Sequence, residues 1–351
     1  MPLVGSIASM SPVIHRRKQQ IMSSEPIEFD PHGDVKLQVG QEDESGPIMF
    51  TACSRTLARV SPVFERMLFG NFAESKQNVT SGNKEWIVKL PADKAVPLAV
   101  FMYISHGHLH RVPKRLSISE LYDLTALTNY YDSTRILGPW IHSWMQTVER
   151  EAGESQISMA QALWVSWEFG RQDLFMRIAH KMLMDAEGPV GSGEPLFQDL
   201  RMPPGVIERI DAIRVDTIQA LLDVLHDMVE NLIVVDEKPR WCHYAEWMGP
   251  HRCESMILGS MTFCLARAGL WPLPDPEDVE YSILGLYRKM TSLIIHDIGT
   301  AAEKPLVDHH ECNPGPFLLS EVKKIINGIA NPVTEMHCKF MDEQVHRLNQ
   351  A

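Results

Sequence analysis

Between Asp34 and Phe72 the spacing of apolar positions changes. Val35, Leu37 and Val39 alternate with polar neighbours, which predicts a strand with one buried face. Phe50, Leu57, Val60, Phe64 and Met67 then recur at intervals near three and four, as one stripe of a helix does. Ser61-Pro62 interrupts the stripe, and Pro62 suits the opening position of a second helix. From Ser158 onward the period is helical throughout. Ala160, Leu163, Trp164, Trp167 and Phe169, then Leu174, Phe175, Ile178 and Met182, form apolar stripes. Pro203-Pro204 precedes Val206, Ile207 and Ile210, and a long helix is predicted over Asp216–Ile233. Further helices are predicted over Glu254–Ala268, Val279–His296 and, last, Leu318–Ile329, which Asn331-Pro332 stops. Residues 1–26 have no sustained period and read as a disordered tail. Glu74–Glu85 reads as a polar loop and Gly188–Pro195 as a linker. No internal repeat is visible.

The segment Asp34–Gly40, the run Phe50, Ala52, Leu57, Ser61, Phe64 and Met67, and Phe72 and Glu74 after it, resemble the start of a BTB/POZ domain. Trp86–Pro91 resembles that family's third strand, Pro97–His106 the helix after it, and Ser119–Asp132 with Arg135–Val148 its closing helix pair. The resemblance covers residues 27–149. The helical remainder at 150–351, with its Gly269-Leu270-Trp271-Pro272 segment, is similar to that of BTB proteins of filamentous fungi. What this implies is an α+β fold: a small sheet with a helical cluster, followed by an all-α C-terminal domain.

Members of that family self-associate through the opening strand and first helix and recruit other proteins. The expected function is therefore non-enzymatic protein–protein interaction, with a homodimer as the first partner. Substrate adaptor for a cullin-type ubiquitin ligase is the alternative. The apolar stripe is wider than one sheet face covers, and an uncovered apolar patch favours association. The implied interface residues are Ile27, Asp34, Val63, Phe64 and Met67. Two departures bear on this. Cys53 and Ser54 stand where many members have His and a basic residue, so Asp34 lacks its usual basic partner unless Arg55 supplies it. His106–Leu116 holds no Glu, which leaves the cullin-binding element unmatched.

Composition narrows the remaining options. Net charge is −12, which argues against nonspecific attraction to nucleic acid or to an anionic membrane. No apolar run reaches the roughly 18 residues of a membrane span, and His15-Arg16-Arg17-Lys18 has no apolar signal core beside it. An intracellular protein of nucleus or cytoplasm is expected, with the basic cluster either an import signal or simply solvated. Asn78-Val79-Thr80 matches the glycosylation pattern, which without a secretory signal is accidental. In that setting six cysteines read as thiols or ligands, not disulfides.

One group of residues carries chemistry. Cys242, Cys253, His309, His310 and Cys312 stand out, and the first choice among them, Cys242, Cys253, His310 and Cys312, offers three thiolates and an imidazole, a donor set that suits tetrahedral zinc. Such a site would be filled by protein and so structural, stapling helical segments together. The competing reading is ordinary core, since Cys253 and Cys264 share a helical face. The Gly-rich linker lacks a phosphate-loop ending, and no serine elbow, His-Glu-x-x-His helix or dinucleotide fingerprint is present, so no enzyme is expected.

Overall fold

The computed structural model describes residues 26–40, 46–76, 85–191, 199–233, 241–242, 244, 252–301 and 307–350. The tail with its basic cluster, the Asn78-Val79-Thr80 match, most of the Glu74–Glu85 loop and the end of the Gly188–Pro195 linker lie outside these. The chain mixes α and β structure and includes a small four-stranded sheet. It divides into two compact units. One runs to Phe175 and resumes at Glu335; the other is Met176–Thr334.

In the first unit β1 (Ile27–Glu28), β2 (Val35–Val39), β3 (Ile48–Ala52) and β4 (Ile87–Leu90) form a sheet of order β1-β3-β2-β4. β2 and β3 are an antiparallel hairpin with Leu37 opposite Phe50. β4 runs parallel to β2 with Leu37 opposite Val88, and β1 runs parallel to β3. The alternation of β2 places Val35, Leu37 and Val39 wholly inside. Phe50, expected on a helical stripe, belongs to β3, where it is equally buried.

The interruption at Ser61-Pro62 divides α1 (Ser54–Val60) from α2 (Pro62–Phe69). The Ser61 hydroxyl accepts the Phe64 N–H at 3.1 Å and donates to the Tyr131 carbonyl at 2.6 Å, so one side chain caps α2 and ties it to the core. α3 (Ala95–Ser105), α4 (Ile118–Tyr130) and α5 (Gly138–Glu151) follow. A Ser117/Glu120 capping box starts α4.

α6 (Gln156–Glu168) is buried on every side from Ser158 onward, as expected of a helix without a polar face. Buried Glu168 accepts from Asn129 at 3.0 Å and from Thr134 at 3.2 Å, fixing α6 beside α4. The division at Phe175 falls within α7 (Gln172–Asp185). A final helix, α12 (Glu335–Asn349), returns to this unit and stacks Phe340 on Trp167 with ring centroids 4.1 Å apart. The helical remainder expected from residue 150 is thus shared between the units.

The second unit is built on α8 (Val206–Ile233), a 28-residue helix that begins ten residues before the expected start because Val206, Ile207 and Ile210 already belong to its buried stripe. α9 (Arg252–Ala268), α10 (Ile283–Thr291) and α11 (Gly315–Asn327) pack with it. α10 is shorter than the expected Val279–His296. The Ser282 side chain caps it at Gly285 N–H, and Ser292 closes it. The unit is not purely α, since β5 (Thr300–Ala301) and β6 (Val307–Asp308) form a short antiparallel ladder. Among the described residues, no helix is long and apolar enough to cross a membrane.

Candidate metal centre

Cys242, Cys253, His309 and Cys312 converge in the second unit. All four are buried, and their donor atoms lie within 4.8 Å of one another. His309 Nδ1 is 3.6 Å from Cys242 Sγ and 3.9 Å from Cys312 Sγ, and the sulfurs of Cys242 and Cys312 are 4.0 Å apart. In a tetrahedron with metal–sulfur bonds of about 2.3 Å and metal–nitrogen bonds of about 2.0–2.1 Å, the S···S and S···N edges are roughly 3.8 and 3.6 Å. The measured separations match those edges and are far outside a disulfide bond. The cluster can hold a metal ion.

Each ligand is positioned by its local backbone. Cys253 lies in the first turn of α9. His309 and Cys312 begin and end one 3-10 turn, and at three residues per turn the side chains at i and i+3 are eclipsed. This is why His309, and not the expected His310, is the nitrogen donor. His310 projects to solvent and meets Asp297 at 3.1 Å. The ladder of β5 and β6 sets the turn in place, with the His309 N–H donating to the carbonyl of Gly299 at 3.0 Å. Asp308 caps the turn by accepting from the His310 N–H. Asn313 closes it by donating to Ile295 and Asp297 and accepting from Gly315. Burial disfavours charge on Asp297, but hydrogen bonds from Asn313, the Gly299 N–H and His310 outweigh it and hold the carboxyl below its ordinary range.

Cys242 comes from a non-helical stretch. The Trp241 indole N–H donates to the Cys312 carbonyl at 2.6 Å, and the Tyr244 hydroxyl donates to Glu311 at 3.1 Å. Burial, reinforced by the adjoining Cys242 and Cys312, pushes the Cys253 thiol up. Several thiolates in an apolar pocket repel one another, and a divalent cation is what relieves that repulsion. Among the described residues, buried His309 Nε2 has no hydrogen-bond partner, while Nδ1 faces the sulfurs. Cys264 stands outside the cluster and donates to the Ile294 carbonyl.

The expected interface residues separate. Ile27, Val63 and Met67 are half-buried and Asp34 is exposed. Phe64 is completely buried, stacked on Tyr131 at 4.3 Å and on Phe101 at 5.9 Å, so it belongs to the core and not to a docking surface. Phe69 and Phe72, beyond it, are exposed. The base for Asp34 is not Arg55 but Lys76, at 2.9 Å, with the Ser54 N–H and hydroxyl completing the set. Burial works against the charged carboxylate, yet these bonds hold Asp34 below its ordinary range.

No family model matches the chain, and no curated protein matches it in sequence.

Proposed function

We propose that the chain is a non-enzymatic interaction protein whose sheet-bearing unit is a BTB/POZ-type docking module that self-associates. One observation carries this reading. β2 and β3, the helical run α1–α2, β4, then α3 and the pair α4–α5 occur in the same chain order as the segments on which the resemblance rests, which supports this reading. Val63 and Met67 on α2 are half-buried and Phe69 and Phe72 are exposed, so apolar side chains of this stretch reach the surface of the unit. Exposed apolar surface favours association.

The second unit, in this reading, is stapled by zinc. Three thiolates and one imidazole complete a tetrahedron and leave no open position for a substrate, so the ion's contribution is cross-linking. Light scattering after size-exclusion chromatography of the full chain tests the docking reading. A dimer at twice the 39.8 kDa chain mass is expected, and Met67→Glu should return it to a monomer of unchanged circular dichroism. A monomeric unmodified chain at tens of micromolar would refute self-association.

A further inference from the structure

Cys242 is the one ligand that neither a helix nor the 3-10 turn positions. Glu254 holds its backbone. This residue follows ligand Cys253 in the first turn of α9, and its side chain is almost wholly buried. Its Oε1 accepts the Trp241 N–H at 2.6 Å and the Cys242 N–H at 3.3 Å. A carboxylate is costly to bury, and charge-assisted bonds to backbone N–H groups offset that cost. Those bonds run to the segment that must present Cys242.

We infer that Glu254 is the positioning residue of the metal centre: its carboxylate, not packing alone, delivers Cys242 as the fourth ligand and so sets both affinity and thiolate count. The inference rests on the metal reading above. Cys253 and Glu254 are adjacent on α9, so the helix supplies one ligand directly and a second through the backbone of another segment. His309 and Cys312 need no such help, because the turn between them already aligns them. Without Glu254 the centre therefore loses one sulfur and keeps Cys253, His309 and Cys312.

Cobalt(II) reports this directly, because its thiolate-to-metal charge-transfer absorption grows with the number of bound sulfurs. Full-length chain, stripped of metal and titrated with cobalt(II), is compared with Glu254→Ala and Glu254→Gln. The unmodified chain should bind one ion with a three-thiolate band. Glu254→Ala should bind about 10–100-fold more weakly, with the band per bound ion reduced by about one-third as a sulfur is lost. Glu254→Gln keeps an acceptor oxygen but not the charge. It should restore the three-thiolate band and bind more weakly than the unmodified chain by less than about tenfold. Unchanged affinity and band in Glu254→Ala overturn the role of Glu254. Should that variant not fold, Glu254→Gln decides, and affinity equal to the unmodified chain overturns it. No cobalt binding by the unmodified chain instead overturns the metal reading itself.

Discussion

Arg214 makes the sharpest energetic prediction in the second unit. The residue sits inside α8 with its side chain buried. Its guanidinium donates to four backbone carbonyls: Ala186 at 3.2 Å, Glu187 at 3.3 Å, Val279 at 2.9 Å and Tyr281 at 3.0 Å. The first two lie just past the end of α7, the last two in the stretch leading to α10. One planar cation therefore closes two irregular backbone stretches onto α8. Each charge-assisted bond contributes about 1.5–3 kcal/mol, roughly 6–12 kcal/mol over four. Desolvating the guanidinium costs several kcal/mol. Arg214→Ala should therefore destabilise the second unit by about 3–5 kcal/mol, in line with the removal of one partner from a buried charged network. Arg214→Lys should recover only part of this, because an ammonium cannot span a planar fan of acceptors. Urea denaturation followed by hydrogen exchange in α8 and α10 reads the effect. A loss below about 1 kcal/mol in Arg214→Ala would contradict the assignment of this residue as a structural hub.

Three other outcomes follow from the packing. Phe64→Ala should cost about 3–5 kcal/mol in the first unit as a cavity opens beside Tyr131 and Phe101; thermal melts check this, and a cost near that of a surface change would return Phe64 to the interface. His106 Nε2 accepts the Cys53 N–H at 3.1 Å while Nδ1 faces the Met102 carbonyl, and burial holds the imidazole below its ordinary value of 6.5. Its contribution is complete above that value and declines as pH falls below it toward the folded-state value, because the unfolded chain takes up the proton first. Urea midpoints from pH 7.5 to 5 should fall, and His106→Gln should flatten the slope. Chelation should expose Cys242, Cys253 and Cys312 to alkylation together, while half-buried Cys53, Cys264 and Cys338 react with or without metal. Mass spectrometry of the alkylated chain counts the difference, and equal labelling in both states would contradict the centre.

Local signals were the legible part of this chain. The β2 alternation, the Ser61-Pro62 division and the helix predicted over Glu254–Ala268 all lie within a few residues of their causes. Three of the four clustered ligands could be named from residue type. The fourth could not be chosen between the two candidate histidines that way, because neighbouring His309 and His310 differ only in phase, and the 3-10 geometry sets the phase. The spacing His309-x-x-Cys312 was the available clue. Long-range pairings were silent: Lys76 reaches Asp34 across 42 residues, and Glu254 reaches back across 13 to Trp241. α12 is harder to read because its mean hydropathy is low; its packing against Trp167 is visible only in the structure. Val279–His296 was overextended because Ile294 and Ile295 continue an apolar run after the helix has closed.

Native mass spectrometry of the chain, purified without chelator, tests self-association and metal content together. A dimer of two 39.8 kDa chains carrying one zinc each is expected. A monomer free of metal would contradict both the docking role of the first unit and the metal centre of the second.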